Sequence, residues 1–251
     1  MPARYELTAE QWRKLEPFLP GKATDRGRTG TDNRLFVNGC LWVIRSGAMW
    51  HHLPERYGPW KRTYNRFRRW AHAGVWEKVF EILLSDSKNR YRMIDSSIVR
   101  AHQHATTGRG VKKTRLCGAS RGGLTTKLHL VTDGTGKPVK FQLTAGHTAD
   151  CTQAESLLEG QTAEAVLADK GYDTDSIVHY VKHCMKAVAV IPPKRNRIVQ
   201  RLYEKDTYKM RNLIERAFNR FKHWRRIATR YDRCDSIFIS SIALAAIAIW
   251  A

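Results

Sequence analysis

The residues best suited to chemistry lie in one stretch, DTYKMRNLIERAFNRFKHWRR, from Asp206 to Arg226. It holds no Gly or Pro and is rich in good helix formers, so it reads as one long helix. At about 100° per residue, Tyr208, Arg211, Glu215 and Lys222 share one narrow arc. Met210, Leu213, Ile214, Ala217, Phe221 and Trp224 fall on roughly the opposite side. One face is built to pack. The other presents a carboxylate flanked by a phenol, a guanidinium and an ammonium. On most helices such a face is merely solvated, with charges paired at i, i+4 and i, i+7. Here two more aspartates each follow an apolar run: Asp95 in YRMIDSSI and Asp169 in EAVLADKGYD. Three carboxylates, two at strand ends and one on a late helix, suggest a divalent-metal site.

The elements that must position them follow from pattern. Tyr91 to Val99 reads as a strand. Thr125 to Thr132 and Pro138 to Ala145 read as two strands around the turn Asp133-Gly134-Thr135-Gly136-Lys137, a hairpin. Asp150 with Gln153 predicts the cap of a helix to Leu158. Glu164 to Ala168 is a fourth strand, Asp175 is expected to cap a helix to about Cys184, and Lys186 to Ile191 is a fifth strand. Pro192-Pro193 and the basic run Lys194-Arg195-Asn196-Arg197 lead to the long helix. The order β-β-β-α-β-α-β-α predicts an α/β fold, a mixed sheet flanked by helices. Carboxylates ending the first and fourth strands meet if those strands are neighbours. A late helix can then bring Glu215 over the same edge.

The first 85 or so residues read as helical. Thr8 and Gln11 form a capping box, with Leu7 and Trp12 placed as a hydrophobic staple. Asp32 caps a second helix that stops near Gly47. Pro59 starts a third, with Trp60, Tyr64, Phe67 and Ala71 on one side and Arg62, Arg66 and Arg69 nearly opposite. We read that basic side as a DNA-docking face rather than a solvated one. The loop from Gly47 to Gly58 is too long for a strict helix-turn-helix. Residues 103–123 form a basic, Gly-rich loop with Lys112, Lys113, Arg115 and Arg121. It has no phosphate-loop spacing and is expected either to contact nucleic acid or simply to be mobile.

Bulk properties agree. The chain has 251 residues and a formal net charge of +21, spread along its length. Such a field favours a polyanion, most simply nucleic acid, over a membrane surface. Five cysteines without a C-x-x-C spacing argue against a disulfide framework or structural zinc and fit a reducing cytoplasm. The apolar tail SIFISSIALAAIAIWA is short of the ~20 residues a spanning helix needs and predicts a buried final helix. No basic-then-apolar leader pattern opens the chain. His179 and His183 lack a third ligand and read as surface residues.

With these residues in view, the chain resembles a known family. Its element order with Asp, Asp and Glu at those places is similar to a ribonuclease-H-like catalytic core. Tyr208, Arg211, Glu215 and Lys222 meet the pattern Y-x₂-R-x₃-E-x₆-K, which resembles the signature of DDE transposases of the IS4/IS5 group. Asp169-Lys170-Gly171-Tyr172-Asp173 resembles the second-aspartate motif, and Ser120 to Lys127 resembles the block preceding the family's second strand. The N-terminal helical region also looks like that of IS5-type transposases. The resemblance implies a helical DNA-binding domain over 1–85 and a ribonuclease-H-like catalytic domain over 90–251. It implies Asp95, Asp169 and Glu215 as catalytic ligands of Mg²⁺, with Mn²⁺ as an alternative, Asp95 bridging two ions. Tyr208, Arg211 and Lys222, with Arg62, Arg66 and Arg69, are expected to bind DNA. The expected activity is cleavage at element ends and strand transfer into target DNA, by a cytoplasmic homo-oligomer. The rivals are a nuclease that does not join strands and a non-catalytic DNA-binding regulator. Asp173 is a weaker ligand candidate, His102 and His104 are weaker still, and Ser96 and Ser97 lack a paired base.

Overall fold

The computed structural model describes residues 5–22, 24–25, 30, 32–84, 89–106, 116–120 and 123–250. The expected contacts of Lys112, Lys113, Arg115 and Arg121 lie outside the described residues. The chain divides into two units, one of Met1–Ser85, Ala101–Thr114 and Arg220–Ala251, the other of Asp86–Arg100 and Arg115–Asn219. Residues 220–251 thus group with the first unit, not with the sheet-bearing unit as the expected 90–251 domain implies.

In the first unit, α1 (Ala9–Leu15) opens on the Thr8–Gln11 capping box, complete in both directions. Asp32 caps α2 (Asn33–Ser46) by accepting from the Leu35 N–H, and Gly47 ends it at φ 79°. A left-handed residue there is the usual glycine C-cap. Helices α3 (Trp60–His72) and α4 (Val75–Leu84) follow. Phe67 and Trp76 are fully buried between them. The C-terminal helix, Asp235–Trp250, packs on α2, α3 and α4. It is apolar nearly all round because most of it is buried, including Ile242, Leu244 and Ile247. Each such side chain contributes roughly 1.5–3 kcal/mol. Its few polar groups are matched: Ser240 Oγ donates to Glu77 Oε1 at 2.8 Å, and the Ala248 carbonyl accepts from Gln11 Nε2 at 2.9 Å. Among the described residues no helix is long and apolar enough to cross a membrane.

The second unit is built on a mixed sheet. Its strands are β1 (Tyr91–Ala101), β2 (Gly118–Ser120), β3 (Gly123–Asp133), β4 (Pro138–Ala145), β5 (Ala165–Leu167) and β6 (Val188–Val190). The order is β4-β3-β1-β5-β6, with β2 also on β3. β3 and β4 form the expected hairpin, and β3 pairs antiparallel with β1. Then β1, β5 and β6 run parallel. Three antiparallel strands continued by two parallel ones make the ribonuclease-H-like arrangement. The hairpin turn is held by Asp133 Oδ1, which accepts from the Thr135 and Lys137 N–H groups at 2.8 and 3.0 Å. Gly136 takes φ 81°, a conformation that glycine adopts without strain.

One side of the sheet carries a core of Ile94, Val131, Val166, Leu157, Ile177, Val181 and Tyr172. Two caps differ from expectation. Asp150 makes no cap bond to the 3₁₀ turn it opens; its carboxylate takes Lys127 Nζ at 2.9 Å instead. Thr174, not Asp175, caps the helix Asp175–His179, which continues as a π-helical turn to Cys184. In both places a charged partner distant in sequence outcompetes the local backbone.

The long helix is also interrupted. It runs as Lys205–Tyr208, a 3₁₀ turn Lys209–Arg211, then α helix Asn212–Lys222. It breaks at Trp224, whose backbone is extended (φ −92°, ψ 103°) and whose ring lies under the Arg45 guanidinium at 4.9 Å. Helix propensity alone did not foresee this, because burying Trp224 outweighs one or two backbone hydrogen bonds.

Candidate active site

Parallel pairing aligns Met93 with Leu167. Asp95 and Asp169 each lie two residues further on, and with a side-chain period of two they fall on the same side of the sheet. Asp169 keeps the extended direction of β5 (φ −76°, ψ 172°) and then starts a 3₁₀ turn, its Oδ1 accepting from the Gly171 N–H at 2.8 Å. This turn needs a small residue: a Cβ on Gly171 would stand 2.9 Å from that oxygen. Asp95 Oδ1 accepts from the Ser96 N–H at 2.8 Å. Burial raises the Asp95 pKa above the usual carboxylate value, and the nearby Asp169 adds to it. Two carboxylates close enough to repel one another in a half-buried site want a cation.

Arg211 supplies one. Its Nη1 donates to Asp95 Oδ2 at 2.9 Å, and its Nη2 donates to Glu215 Oε1 one helical turn on. The oxygens of Asp95 and Glu215 are thus separated by two hydrogen bonds and one guanidinium, about 8 Å at most. Burial opposes the charge on Arg211, but Asp95, Tyr208, Glu215 and Asp169 outweigh it and raise its pKa. Tyr208 flanks the group, with its ring centroid 5.9 Å from the guanidinium carbon. Burial raises the Tyr208 pKa as well. Among the described residues no three His, Cys, Asp or Glu side chains are grouped to hold one ion as they stand. Arg211 occupies the space between two of the three carboxylates.

The helix faces agree with the wheel. Ile214, Ala217 and Phe218 are buried, and Glu215 is half exposed. Lys222 is exposed at the end of the same helix. In the first unit, Arg62 and Arg69 are exposed on α3 and line a cleft of about 560 Å³. Arg66 differs. Its guanidinium bonds Asn33 Oδ1 and lies 4.3 Å over the Phe36 ring and 4.8 Å over Trp70. It is turned inward, because α2 offers it both an acceptor and an aromatic face. His102 packs its ring on Tyr231 in that unit, 4.8 Å away. His179 and His183 pair ring to ring at 4.5 Å.

Asp173 is not a free ligand candidate. It is buried, and its oxygens accept from the Lys194 N–H at 2.8 Å, from Arg197 Nε at 2.8 Å and from Arg201 Nη1. Sequence reasoning missed this clamp. The signal was present as two arginines, Arg197 and Arg201, spaced to reach Asp173 and Asp175 together. Tyr172 is also fully buried, its hydroxyl without a partner among the described residues.

Comparison with known proteins agrees with the fold. Residues 7–80 match the family described as "Putative transposase of IS4/5 family", and residues 86–250 match "Transposase DDE domain". A Brucella ovis protein described as "Putative transposase for insertion sequence element IS6501" is 38% identical over 128 residues, 51% of this chain and 98% of that protein. The protein y4sN of Sinorhizobium fredii, described as uncharacterized, is 39% identical over 110 residues, 44% of this chain and 88% of that protein. Among solved structures, a piggyBac transposase synaptic complex with hairpin DNA is a distant likeness, with a TM-score of 0.41 and 11% identity over 78% of this chain and 52% of that one. The Mos1 mariner paired end complex with Mn gives a TM-score of 0.29 and 13% identity over 86% and 85%. The matched families span the sheet, both aspartates and the helix of Glu215, and the chain belongs to the DDE transposases of the IS4/5 group.

Proposed function

We propose that Asp95, Asp169 and Glu215 hold divalent cations with which this transposase cuts DNA at element ends and joins the 3′-hydroxyls to target DNA. The observation that carries it is the Arg211 guanidinium bonded to both Asp95 and Glu215. It acts as a stand-in cation where carboxylate oxygens converge. Three carboxylates are the hard donor set that Mg²⁺ or Mn²⁺ takes. When bound, two such ions activate the attacking oxygen and stabilise the leaving one in an in-line displacement at phosphorus.

The chain's own residues do the rest. Asp95 supplies charge from the middle of β1, not from the strand end expected of it, and Asp169 from just beyond the end of β5. Glu215 reaches in from a helix whose buried face fixes its direction. Arg211 moves from the carboxylates to a DNA phosphate, which its planar fork binds bidentately. Lys222 adds a point charge along the same helix, and Tyr208 donates a hydrogen bond to a phosphate oxygen. Arg62 and Arg69 contact DNA phosphates from α3, while Arg66 keeps that face in shape. In this reading residues 1–85 supply DNA binding and residues 90–251 the chemistry. The protein works in the cytoplasm as a homo-oligomer, because two element ends must be held together.

The test is Glu215→Gln, assayed by gel shift and strand transfer on a duplex carrying the element end. Glutamine keeps size and hydrogen bonding but lacks the charge a hard cation needs. Cleavage and joining should be lost while end binding stays near wild type. A Glu215→Gln protein that still cuts would end the ligand assignment. Cutting without joining by the wild type would leave a nuclease.

A further inference from the structure

The cleft along α3 combines cations with aromatic rings. Arg62, Arg66 and Arg69 stand at i, i+4 and i+7 on one face of the helix, and all three line it. Their charges are crowded. Burial lowers the Arg66 pKa, and the nearby charges of Arg69 and Arg62 push it the same way. Asp32 is the one acid among the described residues that line the cleft, and its Oδ1 already accepts from the Leu35 N–H at 2.9 Å. Such a cleft favours an anion.

The rest of the lining exceeds what a plain phosphate seat needs. Trp70 is half-buried and lines the cleft beside Arg66. Two buried rings brace it: Phe36 meets it edge-on at 5.0 Å, and Trp76 lies 5.2 Å away. The Arg66 guanidinium sits 4.8 Å from the same ring and is held there by Asn33. A braced ring with a planar guanidinium against it is the kind of surface on which a base stacks. Leu35, 38% exposed, adds an apolar lining residue. The volume, about 560 Å³, is that of a small-molecule site, roughly 300–1,000 Å³.

We propose that this cleft binds a single nucleotide that is not paired in a duplex, with its base against Trp70 and Arg66 and its phosphate on Arg62 and Arg69. This rests on the reading of α3 as a face for nucleic acid and deepens it. A paired nucleotide keeps its base inside the helix and offers this face only phosphate, which leaves the rings unused. An acidic peptide would likewise satisfy the arginines alone. A nucleotide with an uncovered base meets both halves of the cleft, whichever base it carries, because every base has a π-face. An unpaired strand and a free nucleotide present the same chemistry.

The full chain, without divalent metal, is titrated by calorimetry with deoxyadenosine monophosphate, deoxyadenosine, inorganic phosphate and a single-stranded trinucleotide of deoxyadenosine. The monophosphate should bind at least about tenfold more tightly than deoxyadenosine or phosphate, since each of these lacks one half of the contacts. Arg62→Gln/Arg69→Gln should weaken the monophosphate by about tenfold or more and leave deoxyadenosine unchanged. Lys61→Gln/Arg68→Gln removes the same charge from the same helix outside the cleft, and should shift the monophosphate by no more than about twofold. All four side chains are exposed, so both pairs should fold as wild type. Phosphate bound as tightly as the monophosphate overturns the nucleotide site and leaves an anion seat. So does a Lys61/Arg68 pair that weakens binding as much as the cleft pair, or a wild type that binds neither monophosphate nor trinucleotide. A trinucleotide bound more tightly than the monophosphate supports the site with an unpaired strand as its source; an equal or weaker one supports it with a free nucleotide. The salt dependence of duplex binding is measured on the same variants. A cleft pair with a lowered slope in a chain that binds no nucleotide overturns the nucleotide site alone. Nucleotide binding with an unchanged slope overturns the duplex contacts alone.

Discussion

Replacing Arg211 by Gln should tighten divalent-metal binding in the absence of DNA while weakening DNA cleavage. Two bonds hold the guanidinium. The one to Asp95 is 2.9 Å long, and both side chains are only about one-fifth exposed. A hydrogen bond between charged groups in such a place contributes about 1.5–3 kcal/mol. The one to Glu215 is an i, i+4 pair to a carboxylate that is 53% exposed, so solvent screening leaves only about 0.3–0.5 kcal/mol. An ion that uses both carboxylates must displace both bonds and settle near a positive charge. Removing the guanidinium returns roughly 2–3 kcal/mol to the ion, which is about 30- to 150-fold in Kd. Glutamine is chosen because it retains a hydrogen-bond donor and much of the length. Titration of the DNA-free protein with Mn²⁺, followed by calorimetry, reads the change directly. Cleavage of an element-end duplex should fall in the same variant, since the phosphate contact is gone. A Kd for Mn²⁺ equal to that of wild type would refute the reasoning, because Arg211 would then not compete for the carboxylates.

Further outcomes follow from the same contacts. Arg62→Ala and Arg69→Ala should each lower the slope of log K against log salt by about 0.9 for DNA binding, whereas an unchanged slope would assign that face to solvent. Arg66→Ala should act mainly on stability, at about 1–2 kcal/mol by thermal unfolding, because it loses an aromatic face and the Asn33 bond rather than a phosphate. Burial alone would raise the Asp173 pKa, but the Lys194 N–H, Arg197 and Arg201 outweigh it and hold it below the usual value. A depressed carboxylate stabilises above its unfolded pKa of about 3.9 and loses that contribution as pH falls through the folded value. Asp173→Asn should therefore speed tryptic cutting at Arg195 and Arg197 near neutral pH, and the difference from wild type should shrink at strongly acid pH when read by an acid protease. Equal cutting rates at pH 7 would show that the clamp does not hold the loop.

Sequence alone determined whatever depends on near neighbours. The Thr8–Gln11 box, the Asp32 cap and the Asp133 turn satisfy backbone groups two to four residues away, so residue type and spacing suffice. Hydrophobic period likewise identified β1, the β3–β4 hairpin and the buried face of Ile214 and Ala217. The three carboxylates stood out because each follows an apolar run or shares a helical arc with cations. Tertiary structure decided everything that turned on competition between partners. Asp150 could cap its own turn or pair with Lys127, and Asp175 could cap a helix or meet Arg197 and Arg201. Arg66 could face solvent or Phe36, and Arg211 could extend outward or bond Asp95, 116 residues away. In each case a half-buried opposite charge or aromatic ring stabilises more than exposed alternatives do, and which one lies within reach depends on the packing of distant segments. The break at Trp224 has the same cause: no local rule places Arg45 over its ring.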